Sequence, residues 1–156
     1  MLIENLIYLF TPCSPMIKEM GYLRESVSIM SRYSRCKRDW FNHLRKSRAT
    51  IKNAIVQAPA NGKVIIFGAG LGYDLPLTQL TSHFSQVLLV DLVHTLPIKA
   101  KALFHRNVEL VVRDVTESLT NIYEGRDEIY EPRGFLEDKK VGLVISLNLL
   151  SQLASL

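Results

Sequence analysis

The apolar positions follow two different periods along the chain, and the change between them falls near residue 60. From 38 to 58 the apolar side chains Trp40, Leu44, Ile51, Ile55 and Ala58 recur at helical spacing on one face, which predicts a helix. Pro59 and the turn pair Asn61-Gly62 end it. Residues 16 to 35 also suit a helix, with Gly21 as a weak point, since glycine costs about 1 kcal/mol relative to alanine in a helix interior. The opening run Met1 to Phe10 is apolar but carries Glu4, lacks a basic leader and runs into Thr11-Pro12-Cys13. It reads as a short amphipathic helix rather than a signal peptide.

Beyond residue 62 the pattern becomes short, continuous apolar runs separated by helical segments. Strands are predicted at Lys63–Phe67, Val87–Asp91, Val108–Val112 and Val141–Ser146. Helices are predicted from Asp74, as a cap with Pro76 in the first turn, to about His83, and again over Pro97–Phe104. Residues 116 to 140 hold one weak helix and an acid-rich excursion with a turn at Pro132-Arg133-Gly134, and Leu147–Leu156 begins another helix. Strands of unbroken Val, Ile and Leu alternating with helices mean a parallel sheet covered on both faces. The fold class is therefore α/β, a Rossmann-like doubly wound parallel sheet of about four strands preceded by N-terminal helices. The organisation is a helical segment over 1–60 packing on a body over 61–156.

Charge and composition narrow the picture. Residues 1 to 58 carry ten Lys/Arg and four Asp/Glu, a net +6, while the remainder carries nine against eleven, a net −2. A basic front on a near-neutral body hints at an acidic partner. Arg38, Arg45 and Lys52 stand seven apart, with Lys37, Lys46 and Arg48 close by. A solvated helix face is the default for such a run, and contact with nucleic-acid phosphate is the sharper, less favoured reading. No apolar stretch reaches the roughly 18 residues a membrane span requires, so no membrane partner is expected. Cys13 and Cys36 make no disulfide framework, and the four histidines show no ligand spacing; a cytoplasmic protein without a metal is the expectation.

The candidate chemistry gathers at three strand ends, where doubly wound sheets bind ligands. Phe67-Gly68-Ala69-Gly70-Leu71-Gly72 follows the first strand; glycines allow positive φ and let a ligand lie against the backbone. Asp91 ends the second strand, where a carboxylate can accept from ribose hydroxyls. Asp114-Val115 follows the third, offering one side-chain acceptor and one backbone donor to an adenine edge. Each has a plainer reading: a tight turn for the glycines, a strand-end cap for Asp91, a turn cap for Asp114.

In this order the residues resemble the class I S-adenosylmethionine-dependent methyltransferases, over about residues 62 to 150. The resemblance implies that Gly68, Ala69, Gly70 and Gly72 face the methionine end of the cofactor, Asp91 the ribose, and Asp114 with Val115 the adenine. Asn148, within Ser146-Leu147-Asn148-Leu149-Leu150, would lie near the methionine or the transferring methyl, its plainer reading being a helix-start residue. Two departures stand out. The family often has an acid two residues before the first glycine, where this chain has Ile66; and the Asn-Pro-Pro-aromatic tetrad of base-amino methylation is missing after the fourth strand. The resembled fold orders seven strands 3-2-1-4-5-7-6, and four are supplied here, so the expectation is the front part of a longer ancestral methyltransferase. Such a chain could keep a cofactor half-site while lacking turnover; its acceptor and any catalytic residue are unknown.

Two rivals come from other classes. A nicotinamide-dependent oxidoreductase would need GxGxxG, but the third glycine falls one position early at Gly72 and Tyr73 takes its place. A non-catalytic interaction protein would pair its strand-four edge, Leu143-Val144-Ile145, with a second chain or with itself.

Overall fold

A computed structural model describes residues 2–147 and 149. Four helices come first: α1 (Leu2–Phe10), α2 (Pro15–Glu19), α3 (Tyr22–Arg35) and α4 (Lys37–Gln57). They are followed by β1 (Lys63–Phe67), α5 (Leu77–His83), β2 (Gln86–Asp91), α6 (Leu96–Ala102), β3 (Val108–Val112), α7 (Leu119–Tyr123) and β4 (Val141–Ser146). The strands form one all-parallel sheet in the order β3-β2-β1-β4. The fold class is thus α/β and Rossmann-like, as the unbroken apolar runs predict. β1 keeps the switch point between β2 and β4, so the loops after β1 and β4 part there.

Register sorts the sheet into two faces. Val64, Ile66, Val87 and Leu89 share one face and pack with Ile51 and Ile55 of α4, Leu77 and Leu80 of α5, and Ile98 of α6. Ile66, two residues before the first glycine of the loop, is fully enclosed in this core. Ile65, Leu88 and Val90 point the other way, and among the described residues no helix packs in their cluster. Their cover is Phe67, Val111, Val115, Val141 and Phe135, the last from the acid-rich excursion. Phe135 meets Phe67 with ring centroids 5.8 Å apart.

Residues 124–140, without a role in the sequence pattern, therefore contribute to the cover of the second face through Phe135. The segment is tied down by polar side chains of the preceding turn. Glu117 accepts from the backbone N–H groups of Arg133 (3.0 Å) and Gly134 (2.9 Å), and Ser118 Oγ accepts from that of Tyr130 (3.0 Å). Asn121 donates to the Glu128 carbonyl at 2.9 Å, and Lys63 pairs with Asp138.

Two predicted boundaries change. The helix expected over 16–35 is two helices, divided at Gly21, whose φ of +87° no helix accepts. Asp74 does not cap α5, which starts at Leu77 with Pro76 in the cap position and no side-chain cap bond. The physical reason is Pro76 itself: its ring disfavours helical geometry at Leu75, so a helix beginning at Asp74 is blocked. The helix expected over 147–156 lies outside the described residues, apart from Leu147 and Leu149.

Among the described residues, α1 to α3 build a second core from Ile7, Ile17, Leu23 and Val27. It closes on Val93, just after β2, and Leu119, after β3. The helical front therefore sits over the carboxyl ends of the strands. No helix among the described residues is long and apolar enough to cross a membrane.

Candidate functional site

Three loops meet at the carboxyl ends of β1, β2 and β3. The glycine loop leaves β1 with Gly68, Gly70 and Gly72 all at positive φ (+69°, +50° and +61°). Its base is held by Gly68 N–H donating to the Val90 carbonyl at 3.0 Å and Gly72 N–H to the Ala69 carbonyl at 2.9 Å. Ala69 is buried beneath it.

The three glycines do different work. A Cβ on Gly68 would lie 2.4 Å from the Leu147 carbonyl oxygen, so this glycine lets β1 and β4 approach at the switch point. A Cβ on Gly72 would meet Ile98 Cδ1 at 2.7 Å, so that glycine lets α6 pack close. Among the described residues the space at Gly70 is open, the nearest atom being the Gly68 carbonyl oxygen at 3.9 Å. Of the three, Gly70 is the one that leaves room for a ligand against the backbone.

Asp91 joins the first two loops. Gly70 N–H donates to its Oδ2 at 2.7 Å, while Oδ1 accepts from Leu92 N–H at 2.8 Å and Val93 N–H at 3.4 Å. A carboxylate offers about four lone-pair positions, so Oδ2 keeps one acceptor site beyond the Gly70 bond. Asp91 is thus a strand-end cap whose Oδ2 retains capacity for a further hydrogen bond.

Asp114 is committed more heavily. Its Oδ1 accepts from Thr116 N–H (2.8 Å) and Thr116 Oγ1–H (2.7 Å), and its Oδ2 from Leu119 N–H (2.7 Å). The turn-cap reading therefore describes what Asp114 does inside this chain, shaping the loop that carries Val115. The Val115 side chain packs in the second-face cluster with Phe135. Asn148 lies outside the described residues.

The structure adds residues that the motifs did not single out. Tyr33, near the end of α3, stacks on Tyr73 with centroids 3.9 Å apart and planes 25° from parallel, and Trp40 packs on Tyr33 at 5.9 Å. Trp40 is half-buried and packs on Tyr33 rather than in the sheet core. Arg48 of α4 donates to the Tyr73 carbonyl, and Lys101 Nζ donates to the Leu71 carbonyl at 3.3 Å and stands 5.1 Å from the Tyr73 ring centroid. Burial pushes the Lys101 amine below its ordinary range, nearby Arg48 pushes the same way, and Asp74 opposes both. Burial, and then the neighbouring Tyr33, raise the Tyr73 phenol. At the other end of α3, burial and then the Asp114 charge raise the Tyr22 phenol. One helix therefore runs across the mouth, from the Asp114 loop to the glycine loop. Tyr73 was visible in the sequence only as a departure from a fingerprint; its stacking partner carries no local signal.

His94, three residues after Asp91, is 2% exposed, with Nε2 3.1 Å from the Val111 carbonyl, and burial lowers its basicity. His43 is exposed on α4. Among the described residues no three His, Cys, Asp or Glu side chains are arranged to hold a metal ion.

An open depression of about 590 Å³ lies at the opposite, amino ends of the strands, lined by Asn61, Lys63, Gln86, Arg106 and Lys140 among others. Backbone donors there are already engaged: Lys63 N–H with the Lys140 carbonyl (2.8 Å), Val87 N–H with Asn107 (2.8 Å), Val108 N–H with His105 (3.2 Å). The open glycine and the Asp91 acceptor make the carboxyl end the stronger site. Neither a scan of protein-family models nor a search of curated proteins matches this chain.

Proposed function

We propose that the carboxyl-end crevice binds S-adenosylmethionine and that the chain is a methyltransferase-like protein, its acceptor not identified by the crevice itself. The observation that carries this reading is the bridge between an open, positive-φ Gly70 and the β2-end carboxylate of Asp91, at the switch point of the sheet. A ligand lying on Gly70 has the remaining Asp91 Oδ2 acceptor beside it for a ribose hydroxyl. Val115, in the loop that Asp114 holds, follows at the third strand end, where the adenine edge is expected. Methyl transfer from a sulfonium asks chiefly for alignment of donor and acceptor, so a site built of backbone and one carboxylate suits it. The runner-up, a nicotinamide cofactor, gains nothing from Tyr73, which is fixed against Tyr33 beside the loop.

Isothermal titration with S-adenosylhomocysteine is expected to give saturable micromolar binding, abolished in Asp91→Ala and impaired in Asp91→Asn. A folded wild-type chain without heat of binding, or an Asp91→Ala variant of full affinity, would overturn the reading. Fluorescence titration with reduced nicotinamide cofactor separates the runner-up. Absence of cofactor binding joined to concentration-dependent association would favour strand-edge pairing instead, through β4, whose Val144 is 54% exposed.

A further inference from the structure

α4 is a helix of 21 residues with six cations and one acid, Asp39. Its buried row is Leu44, Ile51 and Ile55. Beside that row, Arg38, Phe41, Arg45, Arg48 and Lys52 follow one another at spacings of three, four, three and four, which aligns them along one side of the helix. Among the described residues no carboxylate pairs with Arg38, Arg45 or Lys52. Phe41 stands in the middle of this row with 62% of its surface exposed. Phe41 thus sets one exposed aromatic ring among the cations of the row.

The row leads to the candidate cofactor site. Arg48 reaches off it to the Tyr73 carbonyl on the glycine loop, where Lys101 adds a second positive charge and Tyr33, Tyr73 and Trp40 present rings. From Arg38 to Lys52 the row is about 21 Å long at 1.5 Å per residue. We infer that this side of α4 binds single-stranded nucleic acid. Arg38, Arg45 and Lys52 track the phosphates and Phe41 stacks on a base, leading the strand toward the mouth beneath α3. Single strands are favoured over duplex because an exposed ring needs an unpaired base to stack on. The inference goes beyond the cofactor reading and is tested without cofactor.

The test is fluorescence anisotropy of labelled 20-nucleotide RNA, the same DNA sequence and its duplex, between 50 and 200 mM salt. Binding to single strands with a log–log salt slope of about −2, from three phosphate contacts at about −0.7 each, is expected. The variant Arg45→Gln/Lys52→Gln should lower the slope by about 1.4. Phe41→Ala should weaken single-strand binding by roughly fivefold to a hundredfold while barely affecting duplex. RNA and DNA arms read the sugar preference. Both variants should melt as the wild type does and keep its S-adenosylhomocysteine titration, which separates failure here from failure of the cofactor reading. No single-strand binding, or binding indifferent to the double variant, overturns the proposal. So does salt-sensitive self-association that the double variant abolishes and oligonucleotides do not compete, since the acid-rich 124–140 segment of a second copy would then be the occupant.

Discussion

At the scale of single residues the glycine loop separates structure from binding. Gly68→Ala meets two penalties, the left-handed backbone and a Cβ against the Leu147 carbonyl oxygen. The first costs about 1–2 kcal/mol and the overpacking about 1–3 kcal/mol more. Gly70→Ala meets only the first, because among the described residues nothing lies closer than 3.9 Å to its new methyl. The expected outcome of urea unfolding is a Gly68→Ala variant losing about 2–5 kcal/mol and a Gly70→Ala variant losing about 1–2 kcal/mol. Affinity should run in the opposite order: Gly70→Ala remains folded yet binds S-adenosylhomocysteine at least about tenfold more weakly, a loss of about 1.4 kcal/mol. Unchanged affinity in Gly70→Ala would remove this glycine from the binding surface. The contrast was not readable beforehand. All three glycines looked alike in sequence, and only the neighbours brought by β4 and α6 tell them apart.

At the scale of elements, the excursion from 124 to 140 is the part of the fold that needed a structure. The four strands follow directly from unbroken runs such as Val64-Ile65-Ile66, because burial on both faces demands apolar residues at every position. The excursion's own share of the second-face cover instead rests on one ring, Phe135, and its place on carboxylate, amide and hydroxyl groups that hold backbone far along the chain. Such bonds have no period. Glu117 is the main clip, also paired with Arg113, and hydrogen bonding from Arg133 N–H, then Arg113, lowers its pKa from the ordinary 4.5. With the folded value below the unfolded one, the stabilisation is complete above about pH 4.5 and is lost as pH falls through the lowered value. Glu117→Ala should therefore free the segment at neutral pH. Limited trypsin digestion at Arg126 and Arg133 is expected to speed up on the order of tenfold. Cleavage at the wild-type rate would show that Phe135 and the Lys63–Asp138 pair hold the segment without the clip.

For the molecule as a whole, the N-terminal helices and the sheet act on one place. α3 is anchored over β2 and β3 through Leu23 and Val27 against Val93 and Leu119, and at its far end by the Tyr33–Tyr73 stack. If the ligand of the proposed function lies on Gly70 and Asp91, α3 is the element that its entry is expected to displace. The stack is the detachable end, because one aromatic pair is worth about 0.5–1.5 kcal/mol whereas the buried aliphatic end is a small core. Removing it in Tyr33→Ala should raise the association and dissociation rates of S-adenosylhomocysteine together, by roughly twofold to twelvefold, with little change in Kd. Tyr33→Phe, which keeps the ring, should behave as the wild type. Stopped-flow binding measures both rates. A change confined to dissociation would make Tyr33 a contact of the ligand rather than the latch of a lid. Unchanged rates would mean that the ligand enters from the side of β4, past Leu147, and that α3 is fixed in place.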